Sequence, residues 1–275
     1  MIEHAPVARH EFAIRNLAVA RTTRLSPGFV RVTITGPELA DFASYGPADH
    51  AKLYFADQET GIIATPRLTA GGLQPPESGT VISRDYTPRA FRAATDNAGP
   101  ELDLDFFVHS EGGAATEWVN RADQDSTLVV AGPRGSRLVP TGATRVILGA
   151  DETALPALAR WIELLPDTIE ILAFVEIDNE SDAAYLDPDH VNRARVVWLH
   201  KCDGGLERAI RGLGPIGDDC YVWIAGEATT LIPIRRYLRR ELGLTGDQVK
   251  IVGYWKRGVS GRDHHAPIDP SDPVD

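Results

Sequence analysis

In the stretch ISRDYTPRAF, residues 82–91, an arginine and a tyrosine stand two apart and are followed at once by Thr87 and Pro88. In an extended strand, side chains two apart share a face, so Arg84 and Tyr86 project together while Asp85 and Thr87 point the other way. One face then carries a guanidinium, able to donate paired hydrogen bonds to a phosphate, beside an aromatic plate able to lie against a flat ring. Pro88 sets a turn that leaves the Thr87 hydroxyl and amide for a polar ring edge. Alone, the pattern also fits a surface arginine beside a core tyrosine. A second cluster, HSEGGAATEW at 109–118, changes the balance. A strand ends at His109, Gly112 and Gly113 allow close backbone approach, and a helix containing Thr116 begins near Ala114, so its free N–H groups and positive dipole end face an anion.

The elements that position these residues fall into two halves. From about Phe12 to Pro140 short strands alternate with turns: FVRVTITG (29–36), HAKLYFAD (50–57), TVISRDYTPRAF (80–91), ELDLDFFVHS (101–110) and STLVVAGPRGS (126–136). In the fourth, Leu102, Leu104, Phe106 and Val108 share one face and Asp103, Asp105, Phe107 and His109 the other. This spacing predicts an all-β antiparallel (Greek-key) barrel, closed or partly open. Trp118, on the helical stretch after the glycine pair, reads as core.

From about Thr144 the rhythm becomes strand then helix. The strands are RVILGA (145–150), IEILAFVEI (169–177), ARVVWLH (194–200), CYVWIAG (220–226) and QVKIVGYW (248–255), with helices between them and a stop at Gly243. Alternation of this kind predicts an α/β doubly wound parallel sheet, with its ligand at the carboxyl ends of the strands. The predicted domains are 1–140 and 141–258, and the Pro- and Asp-rich residues 259–275 read as a disordered acidic tail.

Composition narrows the function. The chain has 275 residues and a formal net charge of −11, which argues against non-specific nucleic-acid binding. No apolar run approaches the roughly 20 residues that span a bilayer, so no stable membrane association and a cytoplasmic location are expected. Cys202 and Cys220 are the only cysteines and lie too far apart for a CxxC or iron–sulfur site, so no resident metal is expected and redox chemistry needs a borrowed cofactor.

Seven segments in order, KLYF, RDYTPR, FFVHSEGGAATEWV, AGPRGS, GADETALPAL, WIAGEATTL and GYWKRG, give the chain a specific resemblance over about residues 12–258. It resembles the siderophore-interacting proteins, flavin-dependent ferric-siderophore reductases of the ferredoxin-reductase-like group. The resemblance implies FAD held by Arg84, Tyr86 and Thr87, by the Gly112, Gly113, Ala114 and Thr116 turn, and by His109 beside the flavin. It implies NADH or NADPH as electron donor, bound in the α/β half.

That half lacks Gly-x-Gly-x-x-Gly. Its first strand-to-helix turn is GADETALP, where Thr153 and Ala154 lie near the first helical turn and Asp151 either caps the helix or touches ribose or nicotinamide. Glu152 shares those alternatives. AGEATT (225–230) is the analogous later turn, in which Gly226, Glu227 and Thr229 contact the nicotinamide end or simply start a helix. Glu176, near the end of the second strand, favours NADH if it bonds a ribose 2′-OH, though NADPH stays open.

Ferric siderophores are large and often anionic, so an acidic enzyme needs a focused cationic patch. Lys52, Arg134, Lys256 and Arg257 lie in segments matching the family and are the candidate substrate-binding residues, facing a cleft shared by the two domains. Tyr254 and Trp255 either wall the flavin or belong to the core. No acid, base or nucleophile is required, because flavin-mediated electron transfer to Fe(III) changes no covalent bond. Two other classes are compatible. A general NAD(P)H:flavin or electron-carrier reductase would not need the cationic patch, and a non-enzymatic siderophore-binding module would not hold flavin.

Overall fold

The computed structural model describes residues 2–3, 5–69, 71–109, 112–201, 205–263 and 266–272. The chain divides into two compact units: Val7–Arg137, and the remainder from Leu138 onward together with the segment ending at Pro6.

The first unit carries β1 (Val7–Arg9), β2 (Ile14–Arg24), β3 (Phe29–Thr35), β4 (Ala51–Phe55), β5 (Arg67–Thr69), β6 (Gly72–Gln74), β7 (Ile82–Tyr86), β8 (Pro88–Arg92), β9 (Glu101–Phe107), helix α1 (Ala114–Val119), β10 (Thr127–Ala131) and β11 (Gly135–Arg137). Seven strands form one antiparallel sheet in the order β7-β4-β10-β2-β3-β9-β8. The two edge strands, β7 and β8, are joined by Thr87 alone. Laid flat, seven strands about 4.8 Å apart would separate those edges by roughly 29 Å, whereas residues 86 and 88 can lie at most about 7 Å apart. The sheet is therefore curled until its edges meet at the RDYTPR segment, forming a half-barrel.

Alternate residues fill its interior. Leu17 and Val19, Val32 and Ile34, Leu53 and Phe55, Leu102 and Leu104, and Leu128 and Val130 are all buried in one cluster. Across β9 from the leucines, Asp103 and Asp105 are also buried, and arginines neutralise them. Arg31 grips Asp105 with two hydrogen bonds of 2.7 and 2.8 Å, and Arg92 does the same to Asp103 at 2.7 and 2.8 Å.

The second unit carries β12 (Arg145–Ala150), α2 (Leu155–Leu164), β13 (Glu170–Ile177), α3 (Pro188–Arg193), β14 (Arg195–His200), α4 (Gly205–Arg211), β15 (Cys220–Glu227), α5 (Ala228–Arg236) and β16 (Val249–Trp255). Its five strands are parallel in the order β14-β13-β12-β15-β16. Strand order reverses between β12 and β15, which puts the ligand crevice of such a sheet outside their carboxyl ends. Every residue of β15 is buried, as a central parallel strand covered on both faces requires.

The segment expected to be a disordered tail is held in place as far as it is described. Asp269 is buried and bonded by Arg236, Arg235 and Arg240 both pair with Asp272, and Arg262 donates to the carbonyls of Gly253 and Ala266. Acidic composition alone suggests solvation, but here three arginines, Arg235, Arg236 and Arg240, pair with the acids.

Candidate functional site

On β7, register decides which way the site residues face. Arg84 pairs with Leu53 and Tyr86 with Ala51, so both project on the face that carries the barrel core. The Tyr86 ring packs on that core with its centroid 4.4 Å from Phe106. Desolvation pushes its phenol well above the usual tyrosine value, against the lowering influence of Arg84, so the plate stays uncharged. Arg84 is half-buried and donates from Nη1 to the Ser83 carbonyl at 2.8 Å. Thr87 and Pro88 are buried at the seam between the sheet edges.

At the end of β9, His109 is exposed, 6.4 Å from the Phe107 ring by centroids. Gly112 and Gly113 have φ of 76° and 115°, which only glycine adopts without strain, and Gly113 is the N-cap of α1. A Cβ on Gly113 would meet no protein atom within 4 Å, so the turn leaves open space directly before the first helical amides. Thr116 is buried within the first turn, and Trp118 packs 5.9 Å from Phe55 and 5.6 Å from Phe106 as a core residue. Ser110 and Glu111 lie outside the described residues. A guanidinium on one strand and an uncapped, glycine-gated helix start in the same unit fit a group with a flat ring and a pyrophosphate.

The opposite face of the same strands carries Lys52, and a second expected cation, Arg134, lies between β10 and β11. Lys52 lies directly across from Asp85, with Nζ 2.7 Å from Oδ1. Beside it Tyr54, Val129 and Ala131 form a small buried cluster with Phe12, Ile14 and Ile63. The Arg134 guanidinium sits 4.7 Å from the centre of the Phe12 ring. Burial pushes the Tyr54 phenol up, Asp85 adds to that rise and Arg134 opposes it, so all three lie within electrostatic reach. Asp85 is a site residue that the sequence pattern does not single out. Its alternation with Arg84 and Tyr86 was legible, but the cross-strand register that meets Lys52 was not.

In the α/β unit the acidic turn residues are engaged within the fold. Asp151 Oδ1 accepts from the amide and hydroxyl of Thr153 at 2.9 and 2.5 Å, and Oδ2 accepts from Trp255 Nε1 at 2.7 Å. Of the roles open to Asp151, capping is the one observed. Burial raises its pKa, against the hydrogen bonds from Thr153 and Trp255. Gly226 backs onto this carboxylate so closely that a Cβ there would stand 2.8 Å from Oδ2. Glu152, buried beside Ala154, accepts from the Asp178 amide at 2.7 Å and pairs with Lys201 at 2.9 Å. Glu227 caps α5 through Thr230 N at 2.8 Å and accepts from Arg257 N at 3.1 Å, while Thr229 is exposed.

Glu176 corrects an expectation. Its carboxylate accepts from Leu206 N at 2.8 Å, and a Cβ on Gly205 would collide with it, so it is turned into the start of α4 and gives no ground for choosing NADH. Lys256 and Arg257 are exposed just past β16. Cys220 is buried and Cys202 lies outside the described residues. Among the described residues no group of metal-ligating side chains is found, and no helix is long and apolar enough to cross a membrane.

A curled antiparallel half-barrel followed by a parallel sheet of order 3-2-1-4-5 is the ferredoxin-reductase-like fold. Phthalate dioxygenase reductase shares this fold at 12% identity, with a TM-score of 0.57 over 88% of this chain and 68% of that one. The chain belongs to the siderophore-interacting protein family: residues 18–137 match the siderophore-interacting FAD-binding domain and residues 143–258 the siderophore-interacting protein domain. It is 32% identical to the NADPH-dependent ferric-chelate reductase of Escherichia coli over 90% of this chain and 94% of that protein. It is 31% identical to the ferric vibriobactin reductase ViuB of Vibrio cholerae, covering 91% and 92%. The crystal structure of a siderophore utilization protein from T. fusca superposes with a TM-score of 0.81 at 37% identity, over 97% of this chain and 99% of that one.

Proposed function

We propose that this protein is an FAD-dependent ferric-siderophore reductase, passing electrons from NAD(P)H to Fe(III) held in a siderophore and so releasing Fe(II). The observation that carries the reading is the seam of the half-barrel. Arg84, Tyr86 and Thr87 converge there in the unit that also presents the Gly112–Gly113 turn, and kinship to two reductases of ferric chelates supports it. When bound, FAD supplies the conversion between a two-electron nicotinamide donor and one-electron iron chemistry.

The chain's own residues bind and orient. Arg84 and the amides of Ala114 and Thr116 hold the pyrophosphate, and Tyr86 lies against the ring system as a neutral plate. Thr87 bonds the polar edge of the ring, and His109 stands beside it. In the α/β unit, Thr153, Ala154, Gly226 and Thr229 receive the nicotinamide donor, while Asp151 and Glu227 shape the turns that carry them. Lys52 and Arg134 are the contacts that the first unit offers a ferric siderophore, and Lys256 and Arg257 are exposed cations of the second unit suited to the same kind of ligand. FAD binding is assigned to the domain over residues 1–140 and nicotinamide binding to the domain over 141–258. The reaction belongs in the cytoplasm, where reduced nicotinamide is available.

The test is anaerobic turnover of a ferric siderophore with NADH and with NADPH, scored by a ferrous-specific chromogenic chelator. Ferrous iron formed only when protein, FAD, donor and ferric siderophore are all present is the expected result. Oxidation of the donor at the same rate without ferric siderophore would favour a general flavin reductase.

A further inference from the structure

Strand β7 divides its work between two faces. Arg84 and Tyr86 project on the core side, and Asp85 between them projects on the other, where it meets Lys52 directly across the ladder. The pair is short, 2.7 Å, and the carboxylate is the more covered partner, with side-chain exposures of 19% for Asp85 and 40% for Lys52. An ammonium has three N–H donors, and Asp85 accepts one of them. The others remain for a ligand, in directions set by that bond. The charge is a different matter: lysine and aspartate together present hydrogen-bond donors with no net charge. Arg134, stacked on Phe12, adds a positive charge close to Tyr54.

We infer that Asp85 is a specificity-determining residue: by neutralising Lys52 it limits the preference for highly anionic ferric chelates and admits uncharged ones. The inference rests on the reading of Lys52 as a substrate contact. Its physics is Coulombic. A carboxylate near a bound trianion repels it, weakly in water but over several charges, and the repulsion is screened by salt. Orientation acts in the opposite sense, since Asp85 holds a flexible four-carbon stem, but for a multiply charged ligand the charge term is the larger.

The experiment uses the FAD-loaded protein and two redox-inert probes, the trianionic gallium(III) tris(catecholate) and the uncharged gallium(III) tris(acetohydroxamate). Kd is measured by calorimetry for the unaltered protein, Asp85→Asn, Asp85→Glu and Lys52→Ala, at two salt concentrations. Asp85→Asn is expected to tighten the trianion about fivefold at about 0.01 M salt and about twofold at about 0.15 M. It should leave the uncharged complex unchanged, and Asp85→Glu should keep the original ranking. If Lys52→Ala weakens the trianion while Asp85→Asn leaves it unchanged or weakens it too, the role of Asp85 is overturned and Lys52 stands as a contact. If Lys52→Ala changes neither probe, the substrate reading of Lys52 falls and the inference with it. Should Asp85→Asn fail to fold, Asp85→Ser is the second neutral variant, judged by the same two ratios.

Discussion

Trp255 Nε1 donates to Asp151 Oδ2 at 2.7 Å, tying the end of the last parallel strand to the turn after the first. The same carboxylate caps the turn through Thr153, and Gly226 of β15 has no room for a side chain against it. One buried acid therefore joins three strand ends at the place where a doubly wound sheet takes its ligand. Trp255→Phe keeps most of the ring and removes the donor, leaving a buried carboxylate one bond short, which costs about 1–3 kcal/mol. Urea denaturation should show that loss. Steady-state kinetics of the variant should also show a raised KM for NAD(P)H with flavin content unchanged.

Arg84 is expected to hold FAD by charge-assisted hydrogen bonds to phosphate. Replacing it with alanine removes about 1.5–3 kcal/mol of binding, or roughly 10- to 150-fold in Kd for FAD. Equilibrium titration of flavin-stripped protein measures this directly. Unchanged affinity would remove Arg84 from the site.

The Gly113 turn separates binding from folding. Its φ of 115° makes any side chain costly by roughly 1–2 kcal/mol, yet a Cβ there meets no protein atom within 4 Å. Gly113→Val should therefore stay folded in circular dichroism and bind FAD poorly, because the added bulk fills the space before the first helical amides.

The outer face of the barrel predicts a pH dependence. Arg21 and Arg92 hydrogen-bond Glu101 and hold its carboxyl at about 2, below the usual 4.5. A carboxylate depressed in the folded state stabilises it above the unfolded pKa, and that contribution is lost as pH falls through the folded value. Stability should therefore decline between about pH 4.5 and about 2. Glu101→Gln should flatten this part of the profile, as followed by thermal melting against pH.

Much of the scaffold was legible because its signals are local. The alternation in β3, β9 and β10 and the shift to strand–helix rhythm after Thr144 follow from side-chain period alone, and the glycine turn before α1 follows from composition. What was hidden depends on register and long-range pairing. The alternation puts Asp103 and Asp105 on the face opposite the leucines, but their pairing with Arg92 and Arg31 follows from strand register alone. Glu176 sits near a strand end as a ribose ligand would, but the tight Gly205 start of α4 claims its carboxylate. Asp269 and Asp272 read as a solvated tail because their partners, Arg235, Arg236 and Arg240, lie over thirty positions away in sequence. Composition carries no record of such pairs.

The central claim is electron transfer from bound FAD to iron in a siderophore, and one anaerobic experiment meets it head-on. The FAD-loaded protein is reduced with the nicotinamide donor, freed of excess donor, and mixed with a ferric siderophore while flavin absorbance and ferrous iron are followed together. The account predicts return of the oxidised flavin spectrum with one ferrous ion for each electron the flavin held. A protein that takes up no FAD, or a reduced flavin that the ferric siderophore leaves bleached, would contradict it.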